Sequence, residues 1–442
     1  MIHNDIIVAP ATPTGGAIAI VRIEGEGAIE VCDKLFRSPK GKLLSEMKGY
    51  SMTYGYIYDG ERRVDDVMVS LFRSPNSYTG GDMVEISCHG SAYIVSEIVR
   101  LAVENGARVA TAGEFTKRAF LAGKMDLSQA EAVADIIAAE SKAALTLADT
   151  QLRGSYSSSL ANLRGELVRL ASLLELELDF SEEDVEFADR SQLSELLDRI
   201  EGEIQRLARS FSTGNAIKRG VAVAIVGRPN AGKSTLLNRI VGDERAMVSD
   251  IAGTTRDTIE ECVTIDGVRF RFIDTAGLHQ TDDRLESMGI ERTHKAMGEA
   301  QIVIQLCDEP TDEIVVVSEN QSLIKVLNKC DQNRCAAPKG WLAISAKYGE
   351  GVDVLLAAIR SVVDTGDVMK GEAVVSNGRH YEALLRADDA LGRARAALEM
   401  GVSTDLVAQD IREVLSTIGE ITGEVTTTDL LTEIFSKFCI GK

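Results

Sequence analysis

The sequence has no apolar run that approaches the roughly 20 residues of a membrane-spanning helix. Its seven cysteines are scattered and form no Cys-x-x-Cys pair, which argues against a disulfide framework or a zinc site and favours free thiols in a reducing compartment. The five histidines are equally dispersed, so we do not expect a histidine-rich metal centre. The first residues lack the basic and apolar regions of a secretion signal, and we expect a cytoplasmic protein with no membrane partner.

Basic residues are few relative to acidic ones, since 48 Lys and Arg against 68 Asp and Glu give a net charge of −20. Electrostatic binding of a nucleic acid requires clustered Lys and Arg. If the chain acts on a nucleic acid, we therefore expect a partner protein to provide much of the binding. Acid is concentrated in residues 175–189, which hold eight carboxylates and no base. A solvated helix end or loop explains this run, and a face that docks a basic partner is the functional alternative.

The length of 442 residues suggests about three domains at roughly 150 residues each. Residues 1–118 predict an N-terminal α/β domain. Residues 119–216 and 371–442 are rich in Ala, Leu and Glu at helical spacing and predict a helical bundle. Residues 217–370 are again α/β. Because the two helical segments share this composition and spacing, we favour one discontinuous helical domain with the α/β segment inserted into it. Two separate bundles are the alternative.

The strands and helices follow from local patterns. Apolar and β-branched runs predict strands at 17–23, 52–58, 64–72 and 83–87, with a hairpin turn at Asp59-Gly60. Apolar residues at three- and four-residue spacing predict helices at 28–36, 92–104, 130–147, 160–178, 352–363, 381–400 and 404–418.

Residues 227–234 read Gly-Arg-Pro-Asn-Ala-Gly-Lys-Ser and lie between an apolar strand and a helical stretch. A glycine-rich turn in this position wraps backbone N–H groups around a phosphate chain. Gly227 and Gly232 allow the turn. Lys233 reaches the β- and γ-phosphates, and Ser234 can hold Mg²⁺.

Three further motifs follow in order: Asp274-Thr-Ala-Gly277, Asn328-Lys-Cys-Asp331 and Ser345-Ala-Lys347. The carboxylate of Asp331 can accept both the N1–H and the exocyclic amine of guanine, a donor pair that adenine lacks. Four motifs in this order predict a GTP-binding domain of the Ras-like P-loop type.

The loops between these motifs predict a nucleotide-dependent switch. Thr255 is the candidate for closing over the γ-phosphate and adding its hydroxyl to Mg²⁺, while Asp274 supports the ion and Gly277 meets the γ-phosphate. Loss of the γ-phosphate would release both loops.

Leu278 occupies the position where Ras-type GTPases carry a water-orienting glutamine. An aliphatic side chain cannot orient water, so we expect a residue of another chain or a nearby carboxylate (Asp282, Asp283 or Glu286) to do so. A slow GTPase that acts as a passive timer is the alternative. Asn230 raises a second question, because its amide oxygen could help coordinate a monovalent cation that replaces an arginine finger. Alone, Pro-Asn is more often turn chemistry.

The motifs together resemble the MnmE (TrmE) family of tRNA-modification GTPases, within the Era/Der-like branch of translation GTPases. The resemblance rests on the phosphate loop, on Asp250-Ile-Ala-Gly-Thr-Thr-Arg-Asp257, and on the terminal Ile434-Phe-Ser-Lys-Phe-Cys-Ile-Gly-Lys442. It extends to N-terminal stretches at 5–13, 21–23, 77–80, 89–90 and 113–127.

The resemblance implies a three-domain protein with an N-terminal folate-binding domain that forms the homodimer. It implies that the G domains meet when GTP and K⁺ are bound, with K⁺ surrounded by Asn230, Ser249, Ile251 and Thr254, and that Glu286 orients the water. Mg²⁺ would be held by Ser234 and Thr255. The expected GTP contacts are Asn230, Ala231, Gly232, Lys233, Ser234, Thr235, Ser249, Asp250, Ile251, Ala252, Gly253, Thr254, Asp274, Thr275, Ala276, Gly277, Asn328, Lys329, Asp331, Ser345, Ala346 and Lys347. The expected catalytic residues are Glu286, Lys233, Thr255, Gly277 and Cys439.

The resemblance also implies a reaction shared with an FAD-containing partner, MnmG (GidA), in a heterotetramer or larger complex. Together they would add an aminomethyl or carboxymethylaminomethyl group at C5 of the wobble uridine of tRNA, with a carbon from 5-formyl- or methylene-tetrahydrofolate. The folate-binding positions are Arg22, Glu85, Lys124 and Lys442. Cys439 is either a thiolate nucleophile or a small residue that packs the tail.

Two other functions remain to be weighed. A ribosome-assembly or RNA-binding switch predicts a basic domain after the G domain, whereas residues 379–442 contain an acidic, alanine-rich helical stretch. A folate-binding protein whose G domain only regulates assembly would leave the chemistry to the partner, and the sequence does not separate it from the first hypothesis. We expect GTP hydrolysis by this chain and assign the uridine chemistry to the complex.

Overall fold

The computed structural model describes residues 5–179, 190–243, 260–273, 295–310, 314–332, 337–400 and 402–442. The chain divides into two compact units. The N-terminal unit contains residues 1–134 and 419–442, and the central unit contains residues 135–418.

A seven-stranded sheet organises the N-terminal unit, in the order β3-β4-β5-β6-β2-β1-β7. Its strands are β1 (Ile7–Pro10), β2 (Ile18–Glu24), β3 (Phe36–Arg37), β4 (Ser51–Asp59), β5 (Arg62–Phe72), β6 (Met83–His89) and β7 (Arg108–Val109). Neighbours are antiparallel except β1 and β7, which are parallel. Because side chains alternate along a strand, Ala19, Val21 and Ile23 of β2 form a core with two helices on one face, α1 (Ala28–Leu35) and α2 (Ala92–Glu104).

The end of the chain completes the N-terminal unit. Helix α3 (Glu114–Leu121) and helix α4 (Leu127–Ala138) follow the sheet, and α13 (Thr428–Ser436) lies in the terminal segment. Leu127 and Ala130 of α4 pack with Ile434 and Phe435 of α13 in one apolar cluster.

The central unit contains helices from both sides of the predicted nucleotide segment. They are α5 (Lys142–Leu152), α6 (Ser155–Asp179), α7 (Arg190–Arg219), α11 (Gly378–Glu399) and α12 (Thr404–Thr422). Phe211 of α7 stacks on Tyr381 of α11 with ring centroids 4.4 Å apart, and Tyr156 stacks on His380. The predicted discontinuous helical domain is thereby confirmed.

The inserted segment is a parallel sheet with one antiparallel edge strand, in the order β13-β12-β11-β8-β10-β9. Its strands are β8 (Val221–Val226), β9 (Glu261–Ile265), β10 (Val268–Phe272), β11 (Ile302–Cys307), β12 (Ser322–Leu327) and β13 (Leu342–Ala343). Helices α8 (Lys233–Asp243) and α9 (Val352–Ser361) pack on one face, and the short α10 (Gly366–Lys370) follows. Strand β8 is buried on both faces, which explains its continuous apolar sequence.

One predicted helix is wrong in its continuity. The apolar pattern through 130–147 belongs to two helices, α4 and α5, separated at residues 139–141. Ser141 causes the restart, because its hydroxyl accepts a hydrogen bond from the Ala144 N–H at 3.1 Å and caps α5. Within the described ranges, no helix is both long and apolar enough to cross a membrane. The predicted domain limits at 118, 216 and 370 stay predictions, although residues 119–134 and 419–442 group with the N-terminal sheet.

Candidate functional sites

The phosphate loop occupies residues 227–232, between the end of β8 and the start of α8. A Cβ atom at Gly227 would lie 2.1 Å from the carbonyl oxygen of Leu306, so only glycine fits without a shift. Gly232 has a φ of 99°, and its Cβ would lie 2.3 Å from Nδ2 of Asn328. Asn230 also adopts the left-handed region, with a φ of 63°.

Lys233 turns its ammonium back over this loop. Its Nζ donates to the carbonyl oxygens of Gly227 at 2.7 Å and Arg228 at 3.0 Å. Burial lowers the pKa of Lys233, and an adjacent phosphate would favour the charged form. The ammonium therefore lies against the predicted phosphate loop, and its contact with phosphate stays a prediction.

Asn328 joins two loops of the candidate nucleotide site. Its Nδ2 donates to the Ala231 carbonyl at 2.8 Å, and its Oδ1 accepts from the Ala346 N–H at 2.9 Å. The side chain is 3% exposed, so both bonds are shielded from water. The residue thus connects the phosphate loop to the loop predicted to hold the base.

The guanine-recognition residues lie together at the ends of β12 and β13. Asp331 is exposed, and its Oδ1 accepts a hydrogen bond from the Ser345 hydroxyl at 2.7 Å. Lys329, with a φ of 60°, pairs with Asp308 at 2.8 Å, and this pair lowers the pKa of Asp308. Lys347 is exposed. The ring-binding and phosphate-binding loops are therefore brought to one edge of the sheet.

The remaining nucleotide predictions divide into two groups. Ser234 is half-buried and Thr235 is exposed in the first turn of α8. The other predicted positions lie outside the described residues: Ser249, Asp250, Ile251, Ala252, Gly253, Thr254, Thr255, Asp274, Thr275, Ala276, Gly277, Leu278, Asp282, Asp283 and Glu286.

Three of the four predicted folate residues meet in the N-terminal unit. Arg22 and Glu85 are register partners on β2 and β6, and Nε and Nη2 of Arg22 both donate to Glu85 Oε1, at 3.0 and 2.7 Å. Arg22 Nη1 donates to the Gly441 carbonyl at 3.0 Å. The carbonyl of Lys442 accepts from the Phe115 N–H at 3.2 Å. The guanidinium of Arg22 lies 5.4 Å from the Phe115 ring centroid, so it has an aromatic wall as well as an anionic partner.

The contacts of Lys124 and Cys439 are with residues other than Arg22 and Glu85. Lys124 Nζ donates to the Pro75 carbonyl at 2.5 Å, and its stem runs beside Gly80. Cys439 is exposed, and its carbonyl accepts from the Gly113 N–H at 3.4 Å. The backbone of Cys439 is thus held by Gly113, while the residue itself is exposed.

Sequence reasoning missed a cavity of about 560 Å³ in the N-terminal unit. Its wall contains a buried ion network, in which Arg118 pairs with Glu24 at 2.8 Å and with Glu114 at 3.1 Å. Burial raises the pKa of Glu24. Burial also raises that of Glu114, but hydrogen bonds from Arg108 and Thr111 outweigh it and lower the pKa of Glu114 to about 2. The available signal was the set of charged residues within the stretch 113–127.

The candidate nucleotide site defines a class of protein. A phosphate loop between β8 and α8, an asparagine that ties it to the base-binding loop and an exposed aspartate beside a serine form a guanine-nucleotide site on an α/β sheet. The chain is a P-loop GTPase with an N-terminal sheet domain and a discontinuous helical domain.

Comparisons with known proteins identify the family. The model for the MnmE helical domain matches residues 127–439, and the model for the GTP-binding protein TrmE N-terminus matches residues 6–124. The chain is 49% identical to the tRNA modification GTPase MnmE of Flavobacterium johnsoniae and 48% identical to that of Bacteroides thetaiotaomicron, with 100% of each chain covered. The chain belongs to the MnmE family of tRNA-modification GTPases, which confirms the resemblance found in the sequence.

Among solved structures, the G domain of the T. maritima FeoB iron transporter is 21% identical, covering 33% of this chain and 99% of that one. The TM-score is 0.22, and at that value the likeness supports no conclusion about this chain.

Proposed function

We propose that this chain hydrolyses GTP to support addition of an aminomethyl or carboxymethylaminomethyl group at C5 of the wobble uridine of tRNA. The observation that carries the proposal is the double hydrogen bond of Asn328, which holds the phosphate loop and the base-binding loop of one GTP site together. The chain is 49% and 48% identical to two tRNA modification GTPases over its full length, and this similarity supports tRNA as the substrate.

The phosphate loop fits a Mg²⁺-bound nucleotide. Ser234 follows Lys233 in the first turn of α8, where its hydroxyl would hold the Mg²⁺ of a bound nucleotide, and the ion would supply positive charge to the phosphates. Lys233 binds the phosphates, and Asp331 accepts from guanine. Thr255, Gly277 and the water-orienting Glu286 belong to the proposal from their motif positions.

The loop also fits a K⁺ ion. Asn230 adopts a left-handed conformation on the exposed surface of the phosphate loop, which leaves its amide oxygen available to a cation beside the phosphates. Ser249, Ile251 and Thr254 would complete the coordination. When bound, K⁺ supplies the positive charge that an arginine finger gives other GTPases, and dimerisation of two G domains would complete the active site.

The Arg22–Glu85 cluster fits a tetrahydrofolate cofactor, as 5-formyl- or methylene-tetrahydrofolate. Only Oε1 of Glu85 takes the two Arg22 bonds, so the second carboxylate oxygen remains for the amide and amine of a pterin. Lys124 and Lys442 are cations suited to the glutamate tail. The cofactor supplies a one-carbon unit when bound, and Cys439 is the candidate thiol for its transfer.

The proposed assembly is a cytoplasmic homodimer that works with an FAD-containing MnmG (GidA) partner in a heterotetramer or larger complex. FAD belongs to the partner. The uridine chemistry requires redox steps, and these are assigned to that flavin rather than to the thiols of this chain.

GTP hydrolysis by the purified protein in KCl, against NaCl at the same ionic strength, tests the cation. We expect strong stimulation by K⁺ that disappears in Asn230→Ala and persists in Asn238→Ala, an exposed asparagine of α8. Equal slow rates in both salts would remove the K⁺ mechanism and leave a switch that waits for an external activator.

Calorimetric titration with 5-formyl-tetrahydrofolate tests the folate site separately. We expect Glu85→Gln to weaken binding about tenfold or more, because the variant replaces one acceptor oxygen by a donor and loses the charge that pairs with Arg22. Binding equal to the wild type would place the pterin elsewhere.

A further inference from the structure

On one surface of the N-terminal unit, arginine guanidinium groups lie over the rings of neighbouring tyrosines. Tyr54, Tyr56 and Tyr58 alternate along β4 and therefore project from one face of the sheet, and we call them the tyrosine ladder. Neighbouring ring centroids are 5.4 and 6.5 Å apart in edge-to-face geometry. The Arg37 guanidinium lies 4.2 Å from the Tyr58 centroid, and that of Arg63 lies 3.9 Å from the Tyr56 centroid. This arrangement presents flat aromatic and guanidinium surfaces, and Tyr54 and both arginines are exposed.

A basic segment adjoins the ladder. Residues 34–48 contain five basic residues and one acidic residue, in a chain whose net charge is −20. Strand β3 belongs to this segment and pairs Arg37 with Tyr56 of β4, which brings the charge to the ladder. Lys34, Lys40, Lys42 and Lys48 are all exposed. Within the part of the chain that the structure describes, no carboxylate pairs with any of the four.

Arg37 keeps its charge available as well. Its Nη2 donates to the carbonyl of Gly60 at 2.9 Å, a neutral group. Arg63, in contrast, pairs with Asp66, whose other oxygen accepts from the Tyr54 hydroxyl at 3.0 Å. The ladder is therefore held in place by Asp66, while the positive charge beside it is not neutralised by the protein.

We propose that the tyrosine ladder and the basic segment form a binding surface for unpaired nucleotides of RNA. Phosphates match the unpaired lysines, and bases stack on tyrosine rings or guanidinium planes, as single-stranded RNA does on other proteins. Two other ligands fit this surface less well. An acidic peptide would pair with the lysines but would not stack on the tyrosine rings, and a duplex would not expose its base faces for stacking. The inference rests on the proposed role in tRNA modification and adds the residues that contact the RNA.

The experiment is a fluorescence-anisotropy titration of the full-length protein with a labelled RNA stem-loop, repeated over several KCl concentrations. Tyr58→Leu removes a ring but no charge, and we expect about tenfold weaker binding with an unchanged salt dependence. The double variant Lys40→Gln/Lys42→Gln should lower the slope of log affinity against log salt by about 1.4, since each lost phosphate contact removes about 0.7. Lys437→Gln is the matched control, because that lysine is exposed in the same unit but pairs with Glu433 at 3.1 Å.

The outcomes separate the surface from the function. Thermal unfolding of the full-length protein is measured for every variant to show that the N-terminal unit folds, and the lysine variant alters only exposed side chains. Unchanged RNA binding in both ladder and lysine variants, with wild-type binding intact, would refute the surface and leave the tRNA function standing. A wild type that neither binds RNA nor supports uridine modification with its flavoprotein would refute both. Variants that change the oligomeric state without changing RNA affinity would identify a protein interface instead and also overturn the proposal.

Discussion

Replacing Asn328 by alanine is expected to weaken GTP binding about thirtyfold without unfolding the central unit. The side chain makes two shielded hydrogen bonds, to the Ala231 carbonyl and from the Ala346 N–H. Each is worth about 1 kcal/mol net, so the loss of both costs about 2 kcal/mol. Because about 1.4 kcal/mol corresponds to a tenfold change in affinity, a loss of about 2 kcal/mol weakens binding about thirtyfold. The unpaired groups lie in loops that the nucleotide must order, so the cost appears in binding.

A fluorescent GTP analogue measures this effect through its dissociation constant. Asn328→Asp is the informative companion, because it keeps the oxygen that accepts from Ala346 but faces the Ala231 carbonyl with a second oxygen. If the bond to the phosphate loop matters, the aspartate variant binds as weakly as the alanine variant or more weakly. A change of less than threefold in both variants would contradict the role that we assign to Asn328.

Two further predictions concern stability and the phosphate loop. Because hydrogen bonds from Arg108 and Thr111 lower the folded pKa of Glu114 to about 2, against an ordinary 4.5, its stabilising contribution is present above pH 4.5 and lost as the pH falls toward 2. Hydrogen exchange of the α3 amides, measured as a function of pH, should show a loss of protection at low pH in the wild type and not in Glu114→Gln. Parallel curves of protection against pH for the two proteins would contradict the prediction. Gly227→Ala should reduce GTP affinity at least tenfold, since its Cβ would lie 2.1 Å from a β11 carbonyl, whereas Gly242→Ala, with open space around it, should bind normally. Equal GTP affinities in the two alanine variants would show that the phosphate loop accommodates a Cβ atom at position 227 and would contradict this prediction.

Strong local patterns predicted most of the fold. Helix α2 begins and ends at the predicted residues, because its apolar spacing and flanking breaks are unambiguous. The break between α4 and α5 was missed, since the alanine-rich pattern continues through it and only Ser141 marks the new helix. Strands β1, β3 and β7 were also missed. Two of them are two residues long and exist only through their pairing partners.

The candidate sites were predictable to the extent that a motif names its residues. The phosphate loop and the base-binding loop were both read from sequence, but their connection through Asn328 depends on a contact across 97 positions. Arg22 and Glu85 were expected in one site, and cross-strand register places them together. The buried network of Glu24, Glu114 and Arg118 was not foreseen, because burial of charge depends on packing that a single sequence does not state.

The attachment of the terminal segment has a consequence for how the protein is made. Arg22 on β2 bonds to the Gly441 carbonyl, 419 positions later, so the N-terminal unit is assembled from the first and last parts of the sequence described here. During synthesis, β2 leaves the ribosome long before residues 419–442 exist, and the whole central unit must be produced in between. We expect the N-terminal sheet to wait with Arg22 paired to Glu85 but without its bond to the Gly441 carbonyl until those residues arrive. The attachment therefore makes the finished Arg22–Glu85 cluster depend on the synthesis of residues 419–442.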